Sequence, residues 1–227
     1  MSRLLIHVEG QTEETFINEV LAPHLHQYGF STVSARLLGN SRCRFRRGGV
    51  GHWQSARTDI LNHLKEDTGS ISTIMVDYYA LPNSWPMKPE SIHLPFPAEK
   101  ANLIQDEIHA DICAEMGNNF LPSRFIPYIM MYEFEGLLFS SPDAFARGIA
   151  HSELSADFHR IKANFETPEH INDSPQTAPS KRIINLVKNY DKPHMGVLAI
   201  LEIGLTEIRT ECPLFNYWLT QLENHRC

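Results

Sequence analysis

Four short apolar segments, separated by stretches long enough for a helix, constrain the fold of this chain more than any other feature. This alternation is typical of βαβ units, in which right-handed crossover helices join parallel strands. The third segment carries almost no charge, as expected for a parallel strand covered on both faces. The pattern predicts an α/β fold with a central parallel sheet flanked by helices. The predicted strands cover residues 4–8, 32–37, 71–76 and 125–131.

Helical periodicity accounts for most of the remaining sequence. Apolar residues at helical spacing predict helices over residues 12–27, 52–65 and 98–116, with Thr12 as a candidate N-cap. After Glu135 the pattern is helical to the end, with helices predicted over 180–190 and 213–223, and Ser140 and Ser141 read as a helix-entry turn. We therefore expect an α/β core over residues 1–140 and a helical C-terminal extension over 141–227, packed on the same domain.

A proline-rich segment covers residues 81–97. Its five prolines predict that it contains no regular element, because proline lacks a backbone N–H group. A loop of this length in a compact domain is more often functional than idle.

The composition is that of an acidic globular protein. A chain of 227 residues, 42% of them hydrophobic, is large enough to bury a full core, and no apolar run reaches the length that spans a bilayer. The four cysteines have neither metal-ligand nor disulfide spacing, which indicates free thiols and a cytoplasmic location. The net charge of −7 disfavours general attraction to nucleic acid, so any such binding must use local basic patches or bridging metal ions.

Acidic residues follow three of the predicted strands. Glu9 follows the first strand, Asp77 the third, and Glu133 and Glu135 the fourth. Because ligands bind at the carboxyl ends of parallel strands, we expect these carboxylates to converge. Converging carboxylates need a proton or a cation, and hard oxygen ligands suit Mg²⁺ or Mn²⁺. A single acid such as Glu9 is better explained as a solvated residue at a strand end, and Glu133 and Glu135 are alternatively surface charges. Asp77 is harder to explain in this way, because it ends an uncharged strand and precedes two tyrosines.

Two basic regions are candidates for binding phosphate. Residues 42–47 read R-C-R-F-R-R and precede a glycine-rich entry to a helix, so that Arg44, Arg46, Arg47 and His52 are candidate phosphate or nucleic-acid ligands. An exposed arginine loop explains the same run equally well. Lys181 and Arg182 are predicted in the first turn of a helix capped by Thr177 or Ser180, where a bound anion would offset the unfavourable helix dipole. The alternative is that both side chains extend into water.

Several motifs, taken together, resemble a bacterial domain-of-unknown-function family, number 4276, over nearly the whole chain. They include V-E-G-Q-T-E-E-T-F, G-G-V-G-H-W, M-V-D-Y-Y-A-L-P, Y-E-F-E-G-L-L-F-S, I-N-D-S-P-Q-T-A-P-S-K-R-I and Y-D-K. That family is regarded as Toprim-like and is similar to the Toprim part of overcoming-lysogenization-defect nucleases. Its members are often encoded beside ATPases, in settings suggestive of phage defence. The resemblance implies a Toprim-like, Rossmann-like sheet.

The resemblance also implies roles for individual residues. In Toprim enzymes, a glutamate after the first strand and a D-x-D motif after the third hold magnesium. Glu9 matches the glutamate and Asp77 the first aspartate, whereas Tyr79 occupies the position of the second. That departure puts full two-metal catalysis in doubt unless Glu13, Glu133 or Glu135 fills the gap.

The function implied is that of a Mg²⁺-dependent nuclease or phosphodiesterase acting on DNA or RNA, with an ATPase as a candidate protein partner. Glu9 or Glu13 would act as the general base, and Lys181 or an arginine of residues 42–47 would stabilise the transition state. One alternative is a non-catalytic Toprim-like subunit of an ATPase, which Tyr79 favours. Another is a primase-like nucleotidyl transferase. The C-terminal helices are candidates for a lid, a homodimer surface or an ATPase dock.

Overall fold

The predicted α/β fold is confirmed by a computed structural model that describes residues 2–38, 50–172, 174 and 176–225. Its all-parallel sheet has the strand order β2-β1-β3-β4, flanked by helices. The four strands are β1 (Ser2–Val8), β2 (Phe30–Leu37), β3 (Ser70–Asp77) and β4 (Phe125–Met130). Each predicted strand is therefore present, with its ends shifted by at most a few residues.

Strands β1 and β3 form the centre of the sheet, and their side chains are correspondingly buried. Every residue of β3 is buried, and so are most residues of β1, whereas β2 exposes several side chains at the edge. β1 pairs in parallel with both neighbours, and Val8 lies opposite Leu37 on one side and Met75 on the other. Consequently β1 and β3 end at the same edge of the sheet.

The connection from β1 to β2 is helical, as predicted, but it is built from three pieces. These are α1 (Gln11–Phe16), a π-helical turn (Ile17–Leu21) and α2 (Ala22–His26). The predicted cap was wrong, because Gly10 precedes the first turn and Thr12 lies buried inside it. The helix begins at Gln11, one residue earlier than predicted, and the residue before it is Gly10, two residues before the predicted cap.

Two longer helices, α3 (Trp53–Glu66) and α5 (Pro97–Met116), confirm the predictions for residues 52–65 and 98–116. Polar side chains of α3 form hydrogen bonds and ion pairs with side chains of α5. The Trp53 indole N–H donates to Asp111 Oδ2 at 2.7 Å, and the Arg57 guanidinium contacts both Asp111 and Glu115. These contacts fix the entry to α3, where His52 is the first residue before the helix.

The expectation that the proline-rich segment lacks regular structure was wrong. The segment contains α4 (Lys88–Ser91), a short α-helix, and a 3₁₀ turn (Tyr78–Ala80) precedes it. Proline does not interrupt α4, because Pro89 lies in its first turn, where the missing backbone N–H group has no intrahelical partner. The segment is anchored by Trp85, which is 1% exposed and donates to the Gly51 carbonyl at 2.9 Å.

The chain after β4 is helical, as predicted. A 3₁₀ stretch (Phe134–Ser140) leads into α6 (Pro142–Gly148), which confirms the helix entry at Ser140 and Ser141. The helix predicted over 180–190 is shorter than expected, because α8 ends at Leu186 and Val187 takes an extended conformation. The remaining helices are α7 (Ser155–Lys162), α8 (Pro179–Leu186), α9 (Lys192–Ile203), α10 (Leu205–Glu211) and α11 (Pro213–Glu223).

The chain packs as two compact units. Unit 1 comprises the residues up to Ile129 together with those from Trp218 onward, and unit 2 comprises Met130–Tyr217. Within unit 1, Trp218 stacks on Tyr128 and donates to Thr73 Oγ1 at 3.0 Å. Within unit 2, α6 and α9 approach closely at Gly148, where a Cβ atom would lie 2.6 Å from Ala199 Cα. The expected division of the chain after residue 140 stays a prediction.

In the described part of the chain, no helix combines the length and the apolar character needed to cross a membrane.

Candidate functional site

Two acids of unit 1 stand at the same edge of the sheet. Glu9 directly follows β1, and Asp77 is the last residue of β3. Because Val8 lies opposite Met75 in adjacent parallel strands, the same register carries Glu9 opposite Val76, one residue before Asp77. Neighbouring strands are about 4.8 Å apart, so the backbones that carry the two acids lie close together at this edge. Asp77 is 5% exposed and Glu9 is half-buried.

A third acid of unit 1, Glu13, lies against the turn between β1 and α1. It is 3% exposed, and a Cβ atom at Gly10 would lie 3.0 Å from its Oε2 atom. The glycine therefore leaves room for the carboxylate beside the residue that follows Glu9. Glu13 therefore lies near the turn that follows Glu9. The first turn of a helix also favours an acidic side chain.

The acids predicted after the fourth strand belong to unit 2, where each has a partner. Glu133 Oε2 accepts a hydrogen bond from the Ser180 backbone N–H at 2.8 Å. Glu135 is fully buried, and its Oε2 lies 3.0 Å from Lys192 Nζ. Burial raises the pKa of the Glu135 carboxyl group, and the ammonium of Lys192 opposes that rise. Burial and the nearby Glu135 carboxylate both raise the pKa of the Tyr190 phenol.

The N-terminus of α8 is contacted by the carboxylate side chain of another residue. The sequence predicted a cap from Thr177 or Ser180, and this was wrong, because Ala178 precedes the helix and Thr177 Oγ1 accepts from the Ser174 N–H at 2.9 Å. The carboxylate of Glu133 occupies the position at which a bound phosphate was considered. Its negative charge offsets the helix dipole at this end.

The predicted basic residues have separate environments. Arg44, Arg46 and Arg47 lie outside the described residues. His52 is exposed, with its Nδ1 atom 3.0 Å from Ser84 Oγ. In unit 2, Lys181 is exposed, whereas Arg182 donates to the Thr177 carbonyl at 2.6 Å and stacks 5.1 Å from the Phe165 ring centre. Arg182 also lines an open groove of 320 Å³ with Arg160 of α7.

The structure adds a basic cluster that the sequence did not reveal. Lys88 Nζ lies 3.0 Å from the centre of the Tyr78 ring, and Lys100 Nζ lies 5.9 Å from it. Lys88 is 6% exposed. Burial, followed by the charge of Lys100, lowers the pKa of Lys88 to about 7. The only sequence signal was a lysine flanked by prolines, which gives no hint of a partner.

Metal binding at the sheet edge depends on how many protein ligands the ion needs. Among the described residues, no group of three or more His, Cys, Asp or Glu side chains could hold a metal ion. Mg²⁺ usually keeps several waters and binds through one or two carboxylates plus substrate phosphates. Glu9 and Asp77 fit that mode, because they are two carboxylates on adjacent strand ends.

Comparisons with known proteins give a family and no closer relative. Neither the curated proteins nor the solved structures contain a match to this chain. A family model described as a domain of unknown function, DUF4276, matches residues 8–223, which include both units. The chain therefore belongs to the DUF4276 family.

Proposed function

We propose that this protein is a Mg²⁺- or Mn²⁺-dependent phosphodiesterase that acts on nucleic acid. The observation that carries the proposal is the position of Glu9 and Asp77, which follow or end adjacent parallel strands at one edge of the sheet. In α/β proteins this edge is where ligands bind. Paired carboxylates there would be costly without a counter-charge, and a hard divalent cation supplies it.

Glu9, Asp77 and Glu13 each have a chemical role in this proposal. Glu9 and Asp77 would hold the metal ion, which when bound polarises a phosphate and lowers the pKa of a coordinated water. Glu13, buried beside Gly10, is the candidate to accept the proton of the attacking water. We assign the metal ligands to Glu9 and Asp77 because they stand at the ends of adjacent central strands. Glu133 and Glu135 belong to unit 2 and contact Ser180 and Lys192 there.

The Toprim resemblance supports the same reaction class. It aligns Glu9 and Asp77 with the metal ligands of that family and leaves Tyr79, which is half-buried, at the position of a further acid. A site with two carboxylate ligands is suited to a single ion that the substrate phosphate helps to hold. The cellular setting that fits is the effector of an ATPase-associated phage-defence system.

The direct test replaces each proposed ligand with its uncharged isostere. We expect Glu9→Gln and Asp77→Asn each to reduce Mn²⁺-dependent cleavage of plasmid DNA or RNA by on the order of 100-fold or more. The matched control is Glu19→Gln, because Glu19 is exposed on the helical segment that follows β1. Thermal unfolding of each variant checks the fold. Full activity in either isostere would refute the assignment.

A second candidate is a non-catalytic subunit of an ATPase, which Tyr79 favours as a departure from the acidic motif. It predicts no Mn²⁺ binding in calorimetry and no cleavage in the presence of the partner ATPase. A primase-like nucleotidyl transferase is distinguished by incorporation of labelled nucleotide into an acid-insoluble product.

A further inference from the structure

Two lysines of unit 1 face the same aromatic ring. Lys88 Nζ lies 3.0 Å from the Tyr78 ring centre and Lys100 Nζ lies 5.9 Å from it, so that two positive charges meet at one side chain. Lys88 is 6% exposed and Lys100 is half-buried. Lys100 Nζ also donates to the Ile92 carbonyl at 3.4 Å. Burial and the nearby Lys100 ammonium disfavour the charged form of Lys88, and its cation–π contact of about 1 kcal/mol partly offsets this cost.

The surrounding segment holds this arrangement in place. The Tyr78 hydroxyl lies 3.0 Å from Ser91 Oγ, and Ser91 Oγ donates to the Lys88 carbonyl at 2.8 Å. Trp85 packs on Trp53, with ring centres 5.0 Å apart, and so fixes the proline-rich segment to the start of α3. The cluster is thus built by buried contacts and does not depend on a free surface lysine.

The position of the cluster points to the substrate. Tyr78 directly follows Asp77, so the ring lies beside the sheet edge at which the metal is proposed. Phe96, which is 59% exposed, precedes α5, and its carbonyl accepts the backbone N–H of Lys100 at 3.1 Å. Sites that bind single-stranded nucleic acid combine exposed aromatic rings with cations, and this segment supplies both residue types four positions apart in sequence.

We propose that Lys88 and Lys100, held against the Tyr78 ring, form a subsite for a phosphodiester group of single-stranded nucleic acid. The choice of nucleic acid over other phosphate esters rests on the proposed function and on Phe96. An anion in the subsite neutralises the repulsion between the two ammonium groups. The same anion stabilises the protonated form of Lys88, whose pKa burial and Lys100 hold at about 7.

The experiment measures binding of a short oligothymidylate without divalent metal, so that cleavage does not contribute. We expect Lys88→Met and Lys100→Met each to weaken binding by roughly tenfold, because each removes a charge-assisted contact to phosphate. The dependence of log K on log salt should become shallower by about one for each variant. The control is Lys65→Met, because Lys65 is exposed on α3 of the same unit.

Proton uptake on binding is a second readout. Removing a positive charge elsewhere on the protein would not change it. Phosphodiesters stay ionised near pH 7, and among the described groups Lys100 is the charge that acts on the pKa of Lys88. Calorimetry in two buffers of different ionisation enthalpy should therefore show protons taken up on binding to the wild type. The uptake should be absent in Lys88→Met and retained in Lys65→Met.

The outcomes separate this inference from the proposed hydrolysis. Glu9→Gln and Asp77→Asn should lose cleavage and retain oligothymidylate binding. If Lys88→Met and Lys100→Met bind as tightly as the wild type, or if the wild type does not bind, the subsite is refuted even where cleavage is found. Lysine-dependent binding of inorganic phosphate without binding of oligothymidylate would overturn the nucleic-acid assignment. Should Lys88→Met not fold, Lys100→Met decides.

Discussion

Units 1 and 2 both bury ionisable side chains, but they surround them differently. In unit 2, Glu133 accepts a backbone N–H, Glu135 pairs with Lys192, and Glu169 accepts the N–H groups of Leu214 and Phe215 at 2.9 and 2.8 Å. These acids support the polypeptide that surrounds them.

In unit 1, His7 is fully buried on the central strand, and within the described residues neither ring nitrogen has a hydrogen-bond partner. Lys88 is buried beside a second lysine. Burial without compensation costs stability, and perturbed groups of this kind cluster at functional sites. This contrast agrees with the proposal that unit 1 binds a ligand, whereas the buried acids of unit 2 contact other groups of the same unit. Removing a buried ionisable group should therefore destabilise unit 2 and stabilise unit 1.

The largest effect is expected for Lys192→Met. The variant leaves the Glu135 carboxylate buried without its ammonium partner, which should lower the free energy of unfolding by about 3 kcal/mol at pH 8. Burial raises the folded pKa of Glu135, so both states are protonated at low pH and the cost should shrink towards pH 4. Urea unfolding at both pH values measures this. The control is Lys188→Met, because Lys188 is exposed in unit 2. If Lys192→Met lowers the free energy of unfolding at pH 8 no more than this control does, the pair of Lys192 with Glu135 does not stabilise the fold.

A smaller effect of opposite sign is expected for His7→Leu in unit 1. Burial lowers the folded pKa of His7 to about 3 from an ordinary value of 6.5. The unfolded state binds the proton more tightly, so wild-type stability is lost as pH falls from 6.5 towards 3. The variant removes that loss and should exceed the wild type by about 2 kcal/mol at pH 5.

Urea unfolding at pH 7 and pH 5 tests this expectation, with His194→Gln as the control on an exposed histidine. A variant that loses as much stability between these pH values as the wild type does would place the titrating group elsewhere.

A third effect, with the same sign as that of His7→Leu, is expected for the stability of Lys88→Met. The folded pKa of Lys88 is about 7 and its ordinary value is 10.5, so protonation favours the unfolded state and wild-type stability rises with pH between these values. The variant should be more stable than the wild type at pH 7, because this linkage outweighs the loss of a cation–π contact of about 1 kcal/mol. The gain should fall towards zero by pH 10.5. A variant less stable than the wild type at pH 7 would mean that Lys88 supports the fold.

The sequence predicted the sheet and its acidic edge well, and for a physical reason. Central parallel strands are apolar runs, and the acids that end them are visible as the first charges after each run. The positions of Glu9 and Asp77 at the ends of β1 and β3 follow from this pattern, whereas their role as metal ligands stays a prediction.

The partners of unit 2 could not be predicted in the same way. The bond from Ser180 to Glu133 joins a loop after β4 to the start of α8, and no local pattern links those residues. The lysine cluster was not predicted, because α4 lies in a segment that contains five prolines. It also follows Met87, whose φ of 57° is in the left-handed region. Both depend on packing between distant parts of the chain.

The return of Trp218 to unit 1 has a consequence for the order of folding during synthesis. Trp218 contacts Thr73 and Tyr128, and Glu223 lies 2.5 Å from His24 on α2. These residues leave the ribosome after all of unit 2, so the sheet that emerges first waits for the last helix to complete its packing. Until then its apolar surface is open to chaperones and to other nascent chains. Unit 2, whose residues are continuous in sequence, has no such delay.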